Sequence, residues 1–349
     1  MSAACARLCS YAVLTSELPE LAALERIVEL GGHYLQSRVV ATVPMGGAAA
    51  YPLHVVTMGN PDSGVPAVGY VGGVHGLERI GAEVVIAYLQ SLVMRLQWDS
   101  TLHKQLESVR LVFMPIVNPG GMRLGTRANP RGVDLMRNAP VDAVEPVPFL
   151  VGGQRLSARL PWYRGPALGS MEIESQAMCD VVAAELLGRR FSLAVDCHSG
   201  FGSSDRIWFP YAHTRAPIAH LAEVHALKNI FVQSHSHHRY IFEPQSLQYL
   251  AHGDLWDHLY RQACAKGQGL FLPLTLEMGS WLWVKKNPRQ LFSRHGIFNP
   301  LIEHRQQRVL RQHQQFLDFL SRAASGHALW LPRAELRAQH HAQALQEWY

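Results

Sequence analysis

The sequence predicts an α/β fold with three layers, in which helices cover both faces of a mixed, largely parallel central sheet. Apolar runs of strand length alternate with segments of helical periodicity along the chain, an order that is typical of α/β domains. Three of these runs end at glycine or at an acidic residue, at Gly72, Asp196 and Glu277. Because ligands bind outside the carboxyl ends of strands in open α/β sheets, we look for a functional site there.

Length and composition describe a globular chain with ample material for a core. The 349 residues are 48% hydrophobic and 17% charged, and this length allows either two domains or one large α/β unit. No internal repeat is visible, and no linker precedes Ser325. We therefore predict one domain over residues 1–325, followed by a helical tail over residues 326–349.

Charge and cysteine usage restrict the class of partner and the compartment. The net charge of +5 comes from scattered basic residues, so nucleic acid is not an expected partner. No apolar run reaches the roughly 20 residues that cross a bilayer, and residues 1–16 lack a convincing signal peptide. Five cysteines without a CxxC pair fit a reducing compartment. We expect a cytoplasmic protein without a membrane partner, whose oligomeric state the sequence leaves open.

The predicted elements follow from hydrophobic periodicity and from glycine and proline positions. Strands are predicted over 36–43, 51–58, 67–72, 109–117, 191–196, 207–211 and 270–277. Helices are predicted over 19–30, 79–94, 170–187 (with Ser170 as its N-cap), 217–227 and 299–321. Turns are predicted over 44–47 and 118–121, a functional loop region over 122–169 and a loop over 233–246.

Four polar residues are expected at strand ends: His75, Glu78, His198 and Glu277. Two histidines and one carboxylate, with a fourth position left open, are the ligands of a catalytic zinc ion. Such an ion lowers the pKa of its water and polarises a carbonyl. A second carboxylate, which Glu277 supplies, can then act as general base. Cys197 lies between His198 and Asp196 on a strand, so we expect it to point away from this site.

Several segments together resemble the zinc carboxypeptidase family of the A/B type, over roughly residues 50 to 320. His75-x-x-Glu78 matches the family's paired ligands, and His198 follows at the family's usual distance. The run from Arg127 to Asn138, RANPRGVDLMRN, is similar to the family's R-N-N-x-N-G-V-D-L-N-R-N without a gap. Residues 249–260 resemble the loop of the family's mobile tyrosine, and residues 274–277 the strand that carries its catalytic glutamate.

The resemblance implies a carboxypeptidase-like fold and a role for each matching residue. It implies one Zn²⁺ per chain held by His75, Glu78 and His198, with Glu277 and Arg127 as catalytic residues, Arg127 stabilising the oxyanion. It further implies that Arg137, Asn138 and Tyr249 bind the substrate, that Asp134 orients His75, and that Trp256 sets side-chain specificity. The function so implied is a metallocarboxypeptidase acting on peptides.

One departure from the family pattern keeps two alternatives open. Met136 stands where the family has an asparagine beside the carboxylate-binding arginine, and a hydrogen bond to a charged group is worth roughly 1.5–3 kcal/mol. Met136 favours a deacylase acting on N-acyl amino acids, of the aspartoacylase or succinylglutamate desuccinylase type. A non-catalytic binding protein on the same fold is the second alternative. His235, His237 and His238 are interpreted as a solvated or substrate-facing loop in preference to a second metal site.

Overall fold

The computed structural model describes residues 18–45, 50–200 and 202–349. Its strands are β1 (Gln36–Pro44), β2 (Ala50–Gly59), β3 (Ala67–Gly72), β4 (Arg110–Met114), β5 (Phe191–Gly200), β6 (Arg206–Phe209), β7 (Ile241–Pro244) and β8 (Leu270–Gly279). They form one eight-stranded sheet in the order β1-β2-β4-β3-β5-β8-β6-β7.

The sheet is parallel at its centre and contains antiparallel pairs on both sides of that centre. Strands β4, β3, β5 and β8 are joined by parallel pairs, whereas the β1-β2, β2-β4 and β6-β8 pairs are antiparallel. Strand β7 is added in parallel to β6. The prediction of a mixed, largely parallel sheet is confirmed.

The helices connect these strands, and further helices follow the last strand. They are α1 (Pro19–Gly31), α2 (Arg79–Arg95), α3 (Ser100–Glu107), α4 (Pro119–Leu124), α5 (Ile173–Glu185), α6 (Leu221–Ser234), α7 (Leu255–Lys266), α8 (Trp281–Lys286), α9 (Arg294–Phe298), α10 (Glu303–Ser325), α11 (His327–Trp330) and α12 (Ala334–Trp348). Short 3₁₀ turns occur at Gly32–Tyr34, Leu135–Arg137, Gln245–Leu247 and Pro288–Phe292.

Helices pack on both faces of the sheet and divide the apolar core into two clusters. On one face, side chains of α1, α2 and α10 belong to the cluster that contains Val68 and Tyr70 of β3. On the other face α5 and α7 belong to the cluster that contains Ala67 and Val71. Alternate residues of β3 thus point to opposite faces, as a pleated strand requires. The predicted three-layer arrangement is confirmed.

The connection from β3 to α2 carries two of the predicted ligands and is held close to α4. Residues 73–78 form it, and Glu78 occupies the N-cap position of α2. The backbone N–H of Asn118 donates to the carbonyl of Gly73 over 2.9 Å. A side chain at Gly76 would collide with the backbone of Gly121, so glycine is needed where the two segments meet.

The segment that begins at Asn118 is helical, which corrects the prediction of a turn there. The Asn118 side chain accepts a hydrogen bond from the N–H of Gly121 over 2.7 Å and caps helix α4. Pro119 fits because the first helical turn needs no N–H donor at that position. The glycines at 120 and 121, which suggested a turn, lie in the buried first turn of this helix.

Other boundaries also differ from the prediction. Helix α5 begins at Ile173 with Glu172, rather than Ser170, in the N-cap position. Strand β5 continues to Gly200, so His198 lies within the strand. Strand β7 forms inside the predicted 233–246 loop, and α3, α7, α8 and α9 were not predicted. The predicted 44–47 turn lies partly outside the described residues, and residues 1–16 lie entirely outside them.

The C-terminal segment is helical, as predicted, and packs against α6. Trp348 of helix α12 is 4% exposed, and its indole N–H donates to the carbonyl of Phe242 over 2.8 Å. Arg337 donates to the Glu223 carboxylate over 2.6 Å. The division into a 1–325 domain and a tail stays a prediction.

None of the helices formed by the described residues has the length and apolar character that a membrane span requires.

Candidate active site

His75, Glu78 and His198 converge at the carboxyl ends of β3 and β5. The Nδ1 atoms of the two histidines are 3.1 Å apart. The Glu78 carboxylate lies 2.9 Å from Nδ1 of His75 and 3.0 Å from Nδ1 of His198. All three side chains are buried, and one ligand atom from each falls within 4.8 Å of the others. Two imidazole nitrogens and a carboxylate at these separations fit a zinc ion with an open position.

Each histidine is oriented by a second carboxylate on its opposite ring nitrogen. Nε2 of His75 lies 3.1 Å from Oδ1 of Asp134, and Nε2 of His198 lies 2.8 Å from Oδ2 of Asp196. Both aspartates are fully buried. A proton on Nε2 leaves the Nδ1 lone pair available for a metal, which is the arrangement that metal-binding histidines commonly use.

Strands β5 and β8 bring Glu277 to the same place. Glu277 is the direct neighbour of His198 across the parallel β5-β8 pair. Asp196 and His198 are two residues apart on β5 and therefore share a face of the sheet, whereas Cys197 points to the opposite face. The Cys197 side chain belongs to the core cluster on that opposite face, as predicted.

The carboxyl of Glu277 and the guanidinium of Arg127 lie in strongly perturbed surroundings. Burial raises the pKa of Glu277 to about 8, and the Glu78 carboxylate adds to the rise. Burial opposes the charge of Arg127, but the carboxylates of Asp134 and Glu78 outweigh it and raise the pKa of the guanidinium. Arg127 donates through Nε to Asp134 over 2.8 Å and through Nη1 to Glu78 over 3.2 Å.

A cavity of about 140 Å³ opens in front of these groups. Arg137 lies on its wall, and Nη2 of this arginine donates to the Tyr249 hydroxyl over 3.3 Å. The guanidinium also lies 5.6 Å from the centre of the Tyr249 ring. Among the described residues, the cavity is lined by His75, Glu78, Arg127, Met136, Arg137, Val151, Trp162, His198, Gly200, Trp208, Gln245, Tyr249, Asp254, Thr275, Glu277 and Phe298.

A family model described as zinc carboxypeptidase matches residues 36–280. The chain belongs to the zinc carboxypeptidase family. The family uses zinc, and the His75, Glu78 and His198 cluster can hold one such ion. Carboxypeptidases of this family act on peptide substrates.

Curated relatives match over limited segments. Carboxypeptidase SOL1 of Arabidopsis thaliana is 31% identical over 93 residues, which are 26% of this chain and 19% of the relative. Carboxypeptidase D of Anas platyrhynchos is 24% identical over 176 residues, which are 46% of this chain and 11% of the relative. In both cases the matched segment is less than two thirds of the relative's length.

Solved carboxypeptidase structures share the fold at low sequence identity. Carboxypeptidase A from Helicoverpa armigera superposes with a TM-score of 0.64 at 16% identity, covering 87% of this chain and 71% of that one. Thrombin-activatable fibrinolysis inhibitor gives a TM-score of 0.63 at 17% identity, covering 87% and 72%. The carboxypeptidase-like fold predicted from the sequence is confirmed.

Most residues that the family resemblance implied lie together around the cavity. His75, Glu78, His198, Glu277, Arg127, Arg137 and Tyr249 all line it. Asp134 contacts the distal nitrogen of His75, as expected for its predicted role. The catalytic and binding roles of these residues stay predictions.

Trp256 and Asn138 lie in different surroundings from the other predicted site residues, and their substrate-binding roles stay predictions. Within the described chain, neither side chain lines the cavity. Trp256 is 3% exposed in the core beneath it, and its indole N–H donates to Oδ2 of Asp196 over 3.0 Å. The Asn138 amide donates to the carbonyl of Arg164 and accepts from the N–H of Glu172, so it fixes the loop backbone.

The histidine loop contains no second ligand cluster. Among the described residues, His75, Glu78 and His198 form the one group of three that can hold a metal. His235 and His238 pack instead against the ring of Phe231, with centroid distances of 4.7 and 4.8 Å.

Sequence reasoning missed two aspartates of the site. Asp196 precedes His198 by two residues on β5, and this spacing on a strand is a signal for a shared face. Asp254 lines the cavity and caps helix α7, its Oδ1 accepting from the N–H of Asp257 over 2.9 Å. Its position ahead of a helical segment signals the cap, but no spacing rule connects it to the cavity.

Proposed function

We propose that the protein is a zinc metallocarboxypeptidase that hydrolyses the amide bond next to a carboxylate-bearing residue of a peptide. The observation that carries this proposal is the presence of Glu277 beside His198 in the cavity that Arg137 and Tyr249 also line. The family membership and the names of the relatives support it.

Glu277 acts as the general base in this proposal. A zinc ion held by His75, Glu78 and His198 would supply Lewis-acid chemistry, lowering the pKa of water and polarising the scissile carbonyl. Burial and the Glu78 carboxylate raise the pKa of Glu277 in the protein alone, and the positive charge of a bound zinc ion would favour the ionised carboxylate that takes a proton from water. The same carboxyl then donates that proton to the leaving amine.

Arg127 stabilises the negative charge that develops on the carbonyl oxygen. Its guanidinium is held by Asp134 and Glu78, so it needs little reorganisation during the reaction. Removal of a preorganised donor of this kind costs about 10²–10³ in turnover.

Arg137 and Tyr249 bind the carboxylate end of the substrate. A guanidinium can pair with a carboxylate through two parallel hydrogen bonds, and the Tyr249 hydroxyl already contacts Nη2 of Arg137. Met136, which lines the cavity beside Arg137, offers an apolar surface there. Recognition of the carboxylate therefore depends on Arg137 and Tyr249.

The deciding experiment combines zinc analysis with three substrate types. Zinc-loaded protein should contain one zinc per chain and release the last residue from a peptide with a free C-terminus. The same peptide as its C-terminal amide and an N-acyl amino acid serve as comparison substrates. Glu277→Gln should retain zinc and lose turnover by about 10²–10⁴.

Three results would contradict the proposal. Turnover of the N-acyl amino acid alone would identify a deacylase. Zinc binding without turnover of any substrate would favour a binding protein. Full activity of Glu277→Gln would remove this carboxylate from the mechanism.

A further inference from the structure

Helix α2 begins at a residue whose side chain does not cap it. Glu78 occupies the N-cap position, where a side-chain oxygen usually accepts a hydrogen bond from an N–H of the first turn. Its carboxylate lies instead against Nδ1 of His75 and Nδ1 of His198, and it accepts from the N–H of Ser199 over 3.0 Å. Because Glu78 is engaged as a predicted metal ligand, the first turn of α2 needs an acceptor from elsewhere.

Asn299 supplies this acceptor from a distant part of the chain. Its Oδ1 accepts from the backbone N–H of Ile80 over 2.9 Å, two residues after Glu78. Its Nδ2 donates to the carbonyl of Leu77 over 2.8 Å, the residue before Glu78. One side-chain amide, which has both an acceptor and donors, thus holds the backbone on both sides of the predicted ligand.

Asn299 is itself fixed by its surroundings. It is 4% exposed, and its Nδ2 also donates to the carbonyl of His295 in α9 over 2.8 Å. Its backbone carbonyl accepts from the buried side-chain amide of Gln290 over 3.0 Å. The side chain therefore has little freedom to follow a displacement of the residues that it contacts.

Phe298 joins the same region to the strand that carries the other predicted ligand. Its carbonyl accepts from the Ser199 hydroxyl over 2.7 Å, and Ser199 directly follows His198 in β5. The end of α9 and Asn299 therefore contact both the backbone around Glu78 and the strand that carries His198.

We propose that Asn299 is a positioning residue that holds Glu78 in the geometry that binds the zinc ion. Without the amide, the peptide groups before and after Glu78 lose the contacts that orient its carboxylate. Supporting contacts of this kind typically contribute 10–100-fold in metal affinity. The inference rests on the zinc site of the proposed function and is independent of the substrate.

The test measures zinc affinity by competition with a chelator, in the absence of substrate. Asn299→Leu keeps a similar volume but removes both hydrogen bonds, and it should raise the zinc dissociation constant by about 10- to 100-fold. The visible absorption of the cobalt-substituted variant, which depends on coordination geometry, should differ from that of wild type. If Asn299→Leu does not fold, Asn299→Ser, which is smaller and lacks the amide donor, should raise the dissociation constant by about tenfold or more.

Gln154→Leu provides the matched control. Gln154 is a buried amide that donates to the carbonyls of Ser157, Leu160 and Pro161 and accepts from the N–H of Leu156. Both leucine variants should lower the stability of the metal-free protein, because buried backbone groups lose their partners. Only Asn299→Leu should weaken zinc binding. Equal zinc affinity in wild type and Asn299→Leu, or equal weakening by Gln154→Leu, would overturn the inference.

A double-mutant cycle tests whether Asn299 acts through Glu78. In a Glu78→Gln background, Asn299→Leu should change the zinc dissociation constant by only about twofold or less, because the group that it orients is already altered. The same 10- to 100-fold loss in both backgrounds would mean a general loosening of the site and would overturn the positioning role.

The two proposals fail by different results. Zinc-loaded wild type that hydrolyses no peptide would contradict the proposed function, while the affinity of Asn299→Leu would still decide the role of Asn299. Peptide hydrolysis by wild type together with unchanged zinc affinity in Asn299→Leu would leave the proposed function standing and overturn the role of Asn299 alone.

Discussion

The orientation of His198 depends on an indole as well as on a carboxylate. Oδ2 of Asp196 accepts from Nε2 of His198 over 2.8 Å and from Nε1 of Trp256 over 3.0 Å. Oδ1 of Asp196 has no partner in the described chain. The two donors on Oδ2 therefore fix the carboxylate, and through it the ring that presents Nδ1 to the proposed zinc ion.

Trp256→Phe should weaken zinc binding although the side chain is remote from the metal. The variant keeps an aromatic ring in the core but removes the hydrogen bond to Asp196, and loss of such outer contacts typically costs 10–100-fold in metal affinity. We expect about a tenfold increase in the zinc dissociation constant, measured by competition with a chelator.

Trp348→Phe is the control for this change, because Trp348 is a similarly buried indole that donates to the carbonyl of Phe242. It should leave zinc affinity unchanged. Equal zinc affinity in wild type and Trp256→Phe would show that Asp196 holds His198 without help from the indole.

At the scale of the element, helix α12 has the contacts of an integral part of the fold. The Trp348 ring lies 4.7 Å from Phe209 and 5.7 Å from His225 between ring centres. Lys228 lies 5.6 Å from the centre of the same ring. Burial of a large aromatic side chain of this kind contributes several kcal/mol to stability.

Trp348→Ala should lower the free energy of unfolding by about 3–5 kcal/mol, as other buried tryptophan truncations do. Urea denaturation followed by circular dichroism measures the change. Leu336→Ala on the same helix, where Leu336 is 56% exposed, should change stability by only about 0.5 kcal/mol or less. A stable, cooperatively unfolding Trp348→Ala protein would instead support the tail as a separate unit.

The sequence predicted correctly those helices and strands whose sequence signals all lie within one short segment. The β3 strand and helix α2 were predicted within a residue because an apolar run, a glycine turn and helical spacing follow one another in this segment. Helix α4 was missed because the Asn118 cap outweighs two glycines. Helix α7 was missed because its start was interpreted only as part of a substrate loop.

The sequence predicted the candidate metal ligands of the site, but it did not predict all of the residues that orient them. His75, Glu78, His198 and Glu277 could be predicted from strand ends and family resemblance. The Trp256–Asp196 contact joins residues that are 60 positions apart in sequence, and no spacing rule indicates it. The position of Asp254 on the cavity wall likewise depends on which segments meet in three dimensions.

At the scale of the whole molecule, the many histidines couple stability to pH. Burial lowers the pKa of eight of them from the ordinary value of 6.5: His54, His220, His225, His238, His252, His258, His295 and His313. His313 is 1% exposed, and its Nδ1 lies 2.8 Å from the hydroxyl of Tyr240.

The free energy of unfolding should therefore decrease as the pH falls below the ordinary histidine pKa. Above about pH 6.5 these histidines are neutral in both the folded and the unfolded protein, so they do not make the free energy of unfolding depend on pH. Below it the unfolded chain binds protons first, and the loss continues until the lowered pKa of the folded state is reached.

Comparison of wild type with His313→Gln isolates one such group, because the metal site is the same in both proteins and cancels in the difference. Urea titrations at about pH 8 and about pH 5.5 should show a smaller loss of stability on acidification for the variant. An equal loss in both proteins would mean that His313 takes up its proton as readily in the folded state as in the unfolded one.

The alternation along β5 restricts where this chain can change length. Asp196 and His198 face the site, and Cys197 between them faces the opposite core. Insertion or deletion of one residue within this strand would exchange the two faces, moving the predicted ligand into apolar packing and the thiol toward the metal. We therefore expect natural insertions and deletions to occur in the irregular 143–169 segment. In β5 we expect residues to be replaced but neither inserted nor deleted.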